Sequence, residues 1–166
     1  MSYEICSATS EDVDELSRMR VALQEHLHKS NASLFAMSEA ATSSLSSQYL
    51  SYLKDPDVQV VVTRKEQSRL LCGMAVGRVI IREDTDPGRF GRIDDVWVDQ
   101  EYRRKGICRR MVNQLLQHFE ERSVQSIVLE YIVGNRESET IWHQFGFCPV
   151  ITTAVANLSM VRERVT

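Results

Sequence analysis

Apolar residues along this chain switch between two spacings, and the switches predict its elements. Val13, Leu16, Met19, Leu23 and Leu27 recur at three- and four-residue steps, one face of an amphipathic helix. Thr9-Ser-Glu-Asp before them is a helix start with acids in the first turn. Tyr3–Ala8 ahead of it reads as a short opening strand. The segment Ser30–Ser47, rich in Ser and Ala, is ambiguous; a second helix is expected over its later part, ending near Lys54 before Asp55-Pro56. From Val58 the pattern changes. VQVVVTR (58–64) and LLCGMAVGRVII (70–81) are β-rich runs joined by the polar KEQSR, which predicts an antiparallel hairpin. The loop EDTDPGRFG (83–91) leads into a third run, RIDDVWVD (92–99).

Helical spacing returns at Ile107, Cys108, Met111, Val112, Leu115, Leu116 and Phe119, a clean apolar stripe. SIVLEYIV (126–133) predicts another strand, and Asn135–Phe145 a helix stopped by Gly146. A final strand or two is expected over 147–161. The order β-α-α-β-β-β-α-β-α-β is that of a mixed α/β domain. With no internal repeat and no Pro/Gly/Ser-rich linker, residues 1–166 read as one domain.

Composition narrows the function. A hydrophobic fraction of 43% and a charged fraction of 26% are those of an ordinary globular protein. The net charge of −3 argues against a protein built around nucleic acid and leaves room for a cationic small-molecule partner. Cys6, Cys72, Cys108 and Cys148 form no CxxC pair, which suits reduced thiols in a cytoplasmic protein better than zinc or a disulfide framework. His26 and His28, two apart on a helix, make no metal pair, so no metal is expected. The acidic, broken first residues do not resemble a signal peptide. The longest apolar run is short and carries Arg78, so no membrane span is expected.

The stretch DQEYRRKGIC (99–108) lies between the third β run and the apolar stripe. Its cations allow three readings: a nucleic-acid patch, a solvated turn, or part of a phosphate cradle. Strand, short turn, lone glycine and helix favour the cradle. First-turn amides lack intrahelical acceptors, and the helix dipole adds positive charge there. Gly106 leaves no Cβ in the way of an approaching phosphate, and Arg103, Arg104, Lys105 and Arg109 surround it. Neither GxxxxGK[ST] nor GxGxxG is present.

These residues resemble the central signature of the GNAT superfamily of acyl-CoA-dependent N-acyltransferases, [Q/R]-x-x-G-x-[G/A] at a strand-to-helix junction. Arg103-Arg-Lys-Gly106-Ile107-Cys108 matches it except at the last place, where Cys108 stands for another small residue. A second run, NRESETIWHQFGF (135–147), is similar to the family's N-x-x-A-x-x-[hydrophobic]-Y-x-x-x-G-F segment, with Ser138 for Ala and Trp142 for Tyr. The resemblance covers nearly the whole chain and is firmest over 92–147. It implies a mixed, mostly antiparallel central sheet flanked by helices, acetyl-CoA as co-substrate, and direct acetyl transfer to a primary amine. The acceptor expected from it is a cationic small molecule or a peptide.

The resemblance also implies site residues. Val96, Trp97 and Val98 would present backbone groups to the pantetheine arm and thioester, and one strand amide would stabilise the oxyanion. Arg103, Arg104, Lys105, Gly106, Ile107, Cys108 and Arg109 would bind the pyrophosphate, and Asn135 the pantetheine arm. A carboxylate must take a proton from the amine. Glu130 is favoured: it lies five residues before Asn135 in an otherwise apolar run, where burial without a partner is costly. The plain alternative is a surface glutamate paired with a cation. Asp94 and Asp95 are rivals, and strand alternation sends adjacent residues to opposite faces, so at most one would line the cleft.

Indole cannot protonate a leaving thiolate, so Trp142 leaves the general acid open between Tyr131, His143 and none. A non-catalytic acyl-CoA-binding module is the competing function. An edge strand near 150–160 would offer a route to a homodimer. Glu25, His26, Glu39, Glu83, Asp84 and Asp86 fall in regions expected to frame the acceptor.

Overall fold

The computed structural model describes residues 2–31 and 36–165. A five-stranded sheet runs in the order β1 (Tyr3–Ser7), β2 (Val58–Lys65), β3 (Leu71–Ile81), β4 (Arg89–Val98), β5 (Ile127–Leu129). The first three pairings are antiparallel and β4–β5 is parallel, so the sheet is mixed and mostly antiparallel as expected. The β2–β3 hairpin forms over the polar KEQSR turn. Helices α1 (Val13–Ser30) and α2 (Glu39–Tyr52) cover one face. Helices α3 (Ile107–Glu121) and α4 (Arg136–Gln144) cover the other.

Strand alternation sorts the core into those two layers. Val60, Val62, Met74 and Val76 meet Val13, Leu16, Met19 and Tyr49 on the α1–α2 side. Val61, Ala75, Val79 and Ile93 meet Ile107, Met111, Leu115, Phe119 and Trp142 on the α3–α4 side. The stripe read from the sequence is thus the buried face of α3. Gly77 and Gly91 let that helix lie close, since a Cβ at either would stand 2.9 Å from the Phe119 ring. The α1 start is tied down twice: Asp12 accepts from the Thr9 amide at 2.8 Å and from Arg64 of β2 at 2.7 Å.

Helix α2 forms over the later part of the ambiguous segment and ends at Tyr52, near Lys54 as expected; residues 32–35 lie outside the described residues. Two expectations are corrected. Strand β5 spans three residues rather than 126–133, because β4 pairs with it only through Ile93↔Leu129 and a strand without a ladder partner stops. Over 147–161 no strand forms among the described residues. That stretch leads instead into helix α5 (Leu158–Val165). The apolar side chains there, among them Val150, Ile151 and Val155, are exposed, so no edge strand for a dimer exists at 150–160.

Candidate active site at the β4–β5 opening

The centre of the site is an irregularity in β4. Its pairing with β3 runs Val96↔Ala75 and Asp95↔Val76, then jumps to Ile93↔Gly77, leaving Asp94 as an extra residue. This is a β-bulge. It overturns the expectation that Asp94 and Asp95 point to opposite faces, because the extra residue resets the alternation. Both carboxylates meet cations on the α1–α2 side. Arg78, whose guanidinium lies over the α2 ring of Tyr52, forks onto both Asp94 oxygens, and Arg92 Nε reaches the same carboxylate at 2.9 Å. Asp95 faces Arg20 of α1 at 3.3 Å.

Burial pushes the Asp95 carboxyl above the usual carboxylate range; Arg20 pulls against this and the Asp94 charge adds to it. A mostly buried carboxyl that is harder to ionise is a better proton acceptor once ionised. Glu130 is different. It lies just past β5, is 85% exposed and pairs with Arg92 at 3.3 Å, so the burial argument for it fails. Arg20, Arg78 and Arg92 are the site residues that sequence reasoning misses, although Arg78 and Arg92 signal themselves as charges inside β runs.

Beyond the bulge the two strands part. Strand β4 continues to Val98, paired only with β3, while β5 ends at Leu129. The Asp99 amide donates to the Cys72 carbonyl, so alternate residues, Trp97 and Asp95, also face β3. The backbone groups of Val96 and Val98 therefore face the opening. The Trp97 carbonyl lies against Gly73 of β3, so Trp97 offers its side chain rather than its backbone. Its indole donates to Asp99 at 2.8 Å and packs between His26 and the Arg103 guanidinium. Among the regions expected to frame the acceptor, His26 thus supports the site, whereas Glu25, Glu39, Glu83, Asp84 and Asp86 are surface residues.

The opening leads to the start of α3. Gly106 is the N-cap at φ 75°, and a Cβ there would meet nothing within 4 Å. Arg104 at φ 60° makes the same turn tighter. The first-turn amides of α3 are left pointing outward beneath open space, a fitting cradle for an anion. Most of the cations around it are already engaged. Arg103 donates from Nε to the Val98 carbonyl and pairs with Glu137 at 3.2 Å; Lys105 donates to the Glu101 carbonyl; Arg109 lies over the Phe145 ring. Backbone, not side-chain charge, is the fixed part of this site. Ile107 is a core residue. Cys108 is half-buried, and burial pushes its thiol up to about 11, more than Arg109 offsets; it is a packed thiol, not an activated one.

The facing wall is 130–135 and α4. Asn135 caps α4 and its Oδ1 accepts from the Ser138 amide. Trp142 is buried against Phe145 and Phe147, a packing residue. Two hollows of about 380 and 490 Å³ lie between α3 and β1 and share Arg110; Arg109 lines the first and Lys105 the second, and neither lining includes a residue of β4. Among the described residues no cluster of His, Cys, Asp and Glu is built to hold a metal ion, and no helix is long and apolar enough to cross a membrane.

The model of the acetyltransferase (GNAT) family matches residues 22–147. The chain belongs to the GNAT family. No curated relative matches it. Among solved structures it is similar to a tetramutant of the BH1408 protein from Bacillus halodurans, with TM-score 0.80 and 19% identity over 93% of this chain and 99% of that one. It is also similar to a predicted acetyltransferase from Clostridium acetobutylicum solved with acetyl-CoA, with TM-score 0.75 and 17% identity over 96% and 98% of the two chains. A glucosamine-6-phosphate N-acetyltransferase from Arabidopsis thaliana aligns with TM-score 0.69 and 16% identity over 95% and 99%. At these identities the likenesses establish the GNAT fold and leave the acceptor open. GNAT proteins are N-acetyltransferases that use acetyl-CoA, and this chain is one of them.

Proposed function

We propose that this GNAT protein transfers an acetyl group from acetyl-CoA directly to a primary amine of a small molecule or peptide. The observation that carries the reading is the open edge of β4, with its Val96 and Val98 backbone groups, running into the uncapped start of α3 at Gly106. The residues present fit the co-substrate. The α3 amides and the space over Gly106 suit a pyrophosphate, with Arg103, Arg104, Lys105, Ile107, Cys108 and Arg109 around it. The outward groups of Val96 and Val98, together with Asn135, suit the amides of a pantetheine arm.

On this reading the acceptor amine arrives from the α1–α2 side, where Asp95 takes its proton. The Val96 amide donates to the carbonyl oxygen of the thioester as charge develops on it, an interaction that needs no side chain. Asp95 is preferred over Glu130 because it is held by Arg20 in a mostly buried setting, whereas Glu130 stands in solvent. Three carboxylates on that side, Asp94, Asp95 and Glu130, are matched by Arg20, Arg78 and Arg92, so the approach is of mixed charge rather than purely acidic. The test is calorimetry with acetyl-CoA followed by a thiol-release screen over a varied amine library. Micromolar binding with amine-dependent thiol release is expected. Absence of binding refutes the reading, and binding with no release from any amine points to a non-catalytic acyl-CoA module.

A further inference from the structure

We propose that Glu137 tunes the affinity for the co-substrate: it holds Arg103 across the opening, and Arg103 exchanges it for the pyrophosphate of acetyl-CoA. The inference rests on the acetyl-CoA reading above and adds to it a carboxylate of α4 that competes with the ligand.

Arg103 is held at three points. Its Nε donates to the Val98 carbonyl at 3.0 Å, its guanidinium lies 4.9 Å over the Trp97 ring, and its Nη1 meets Glu137 Oε2 at 3.2 Å. Val98 and Trp97 belong to the end of β4, whereas Glu137 is in the first turn of α4, on the facing wall. One side chain therefore spans the opening just ahead of Gly106. The holds differ in strength. The Trp97 ring is itself fixed by Asp99 and His26, and Val98 lies in a strand paired with β3. Glu137 is 74% exposed and brings only a solvated ion pair. It is the hold that gives way first, so the Nε end stays anchored while the Nη end changes partner.

A pyrophosphate at the start of α3 is the better partner for that end. It carries more charge than a carboxylate and offers oxygens that a guanidinium meets as a fork. The neighbouring cations face no carboxylate that could be exchanged: Lys105 is turned to the Glu101 carbonyl and Arg109 to the Phe145 ring. Glu139, the other acid in the first turn of α4, is turned to the Gly134 amide, from which it accepts at 2.7 Å. Glu137 also has an effect of opposite sign. An acid in the first turn of a helix complements the helix dipole, so Glu137 steadies α4 while it opposes the anion. Removing a purely structural residue would lower stability and affinity together. Removing Glu137 should move them apart.

The test is a double-mutant cycle read by calorimetry with acetyl-CoA, paired with thermal melts. Glu137→Gln is expected to bind acetyl-CoA about two- to fivefold more tightly than wild type, the gain from releasing one exposed ion pair, and to melt slightly lower. In an Arg103→Gln background the same substitution should leave affinity unchanged, because nothing remains for Glu137 to hold. Glu139→Gln, which removes a charge from the same helical turn without freeing Arg103, should show no such gain. A gain that persists without Arg103, or an equal gain in Glu139→Gln, would reduce Glu137 to general repulsion of an anion and overturn the proposal. Unchanged or weaker binding in Glu137→Gln overturns it too. A wild-type protein that does not bind acetyl-CoA refutes the co-substrate reading itself, so the two failures are distinct.

Discussion

Replacing Gly106 by alanine separates the backbone cradle from the cations beside it. Gly106 has φ 75° and Gly146, at the far end of α4, has φ 92°; a Cβ at either meets nothing within 4 Å. Alanine therefore brings no clash at either site, only the cost of the left-handed conformation, about 1–2 kcal/mol. For a chain of this size that is a fall in Tm of about 2–8 °C. The two variants should lose stability alike. Only at Gly106 does the new methyl occupy the space over the first-turn amides of α3. If it displaces one charge-assisted hydrogen bond to phosphate, binding loses about 1.5–3 kcal/mol. That is about ten- to a hundredfold in Kd. Titration calorimetry with acetyl-CoA, paired with thermal melts of both variants, reads the two effects separately. Equal affinities in wild type, Gly106→Ala and Gly146→Ala would refute the cradle.

Asp95→Asn should lower kcat/KM by about 10²–10⁴, as loss of a general base does. In the wild type, activity should rise with pH through a value above the usual carboxylate range, since burial raises Asp95; in the variant that limb should vanish, and its persistence would move the base elsewhere. Because the folded value is raised, the wild type should lose stability as pH climbs through it, a slope that urea melts of Asp95→Asn should lack. Cys108, with its thiol pushed up to about 11, should alkylate far more slowly at neutral pH than exposed Cys148, as peptide mass spectrometry would show. Preferential labelling of Cys108 would contradict the packed-thiol assignment.

Much of the fold was legible because its signals are local. The period of α3 is dictated by a face that packs on the sheet, and the β2–β3 hairpin by two apolar runs with a polar turn between them. Gly106 was legible for the same reason, since a lone glycine at a strand-to-helix junction constrains the backbone by itself. The failures share a different cause. Whether 130–133 continues β5 depends on whether β4 offers it a partner, and the residues IVLEYIV say nothing about β4. The 147–161 segment carries β-type residues, yet Val150, Ile151 and Val155 find no strand to pair with in this chain. Glu130 looked buried only because the strand was assumed to run through it.

The bulge at Asp94 is what links these failures to the chemistry. A regular β4 would alternate through 93–98, sending Asp94 and Asp95 to opposite faces. The extra residue turns both toward Arg20, Arg78 and Arg92 on the α1–α2 side, and the ladder with β5 stops at its edge. The same insertion therefore does two things that a catalytic opening requires. It brings the mostly buried Asp95 carboxylate to the α1–α2 side, where the proposed acceptor arrives, and it leaves the Val96 and Val98 backbone without a β5 partner, beside the proposed co-substrate. On the proposed reading, Asp95 then serves the amine from one side of the opening while the Val96 amide serves the thioester from the other.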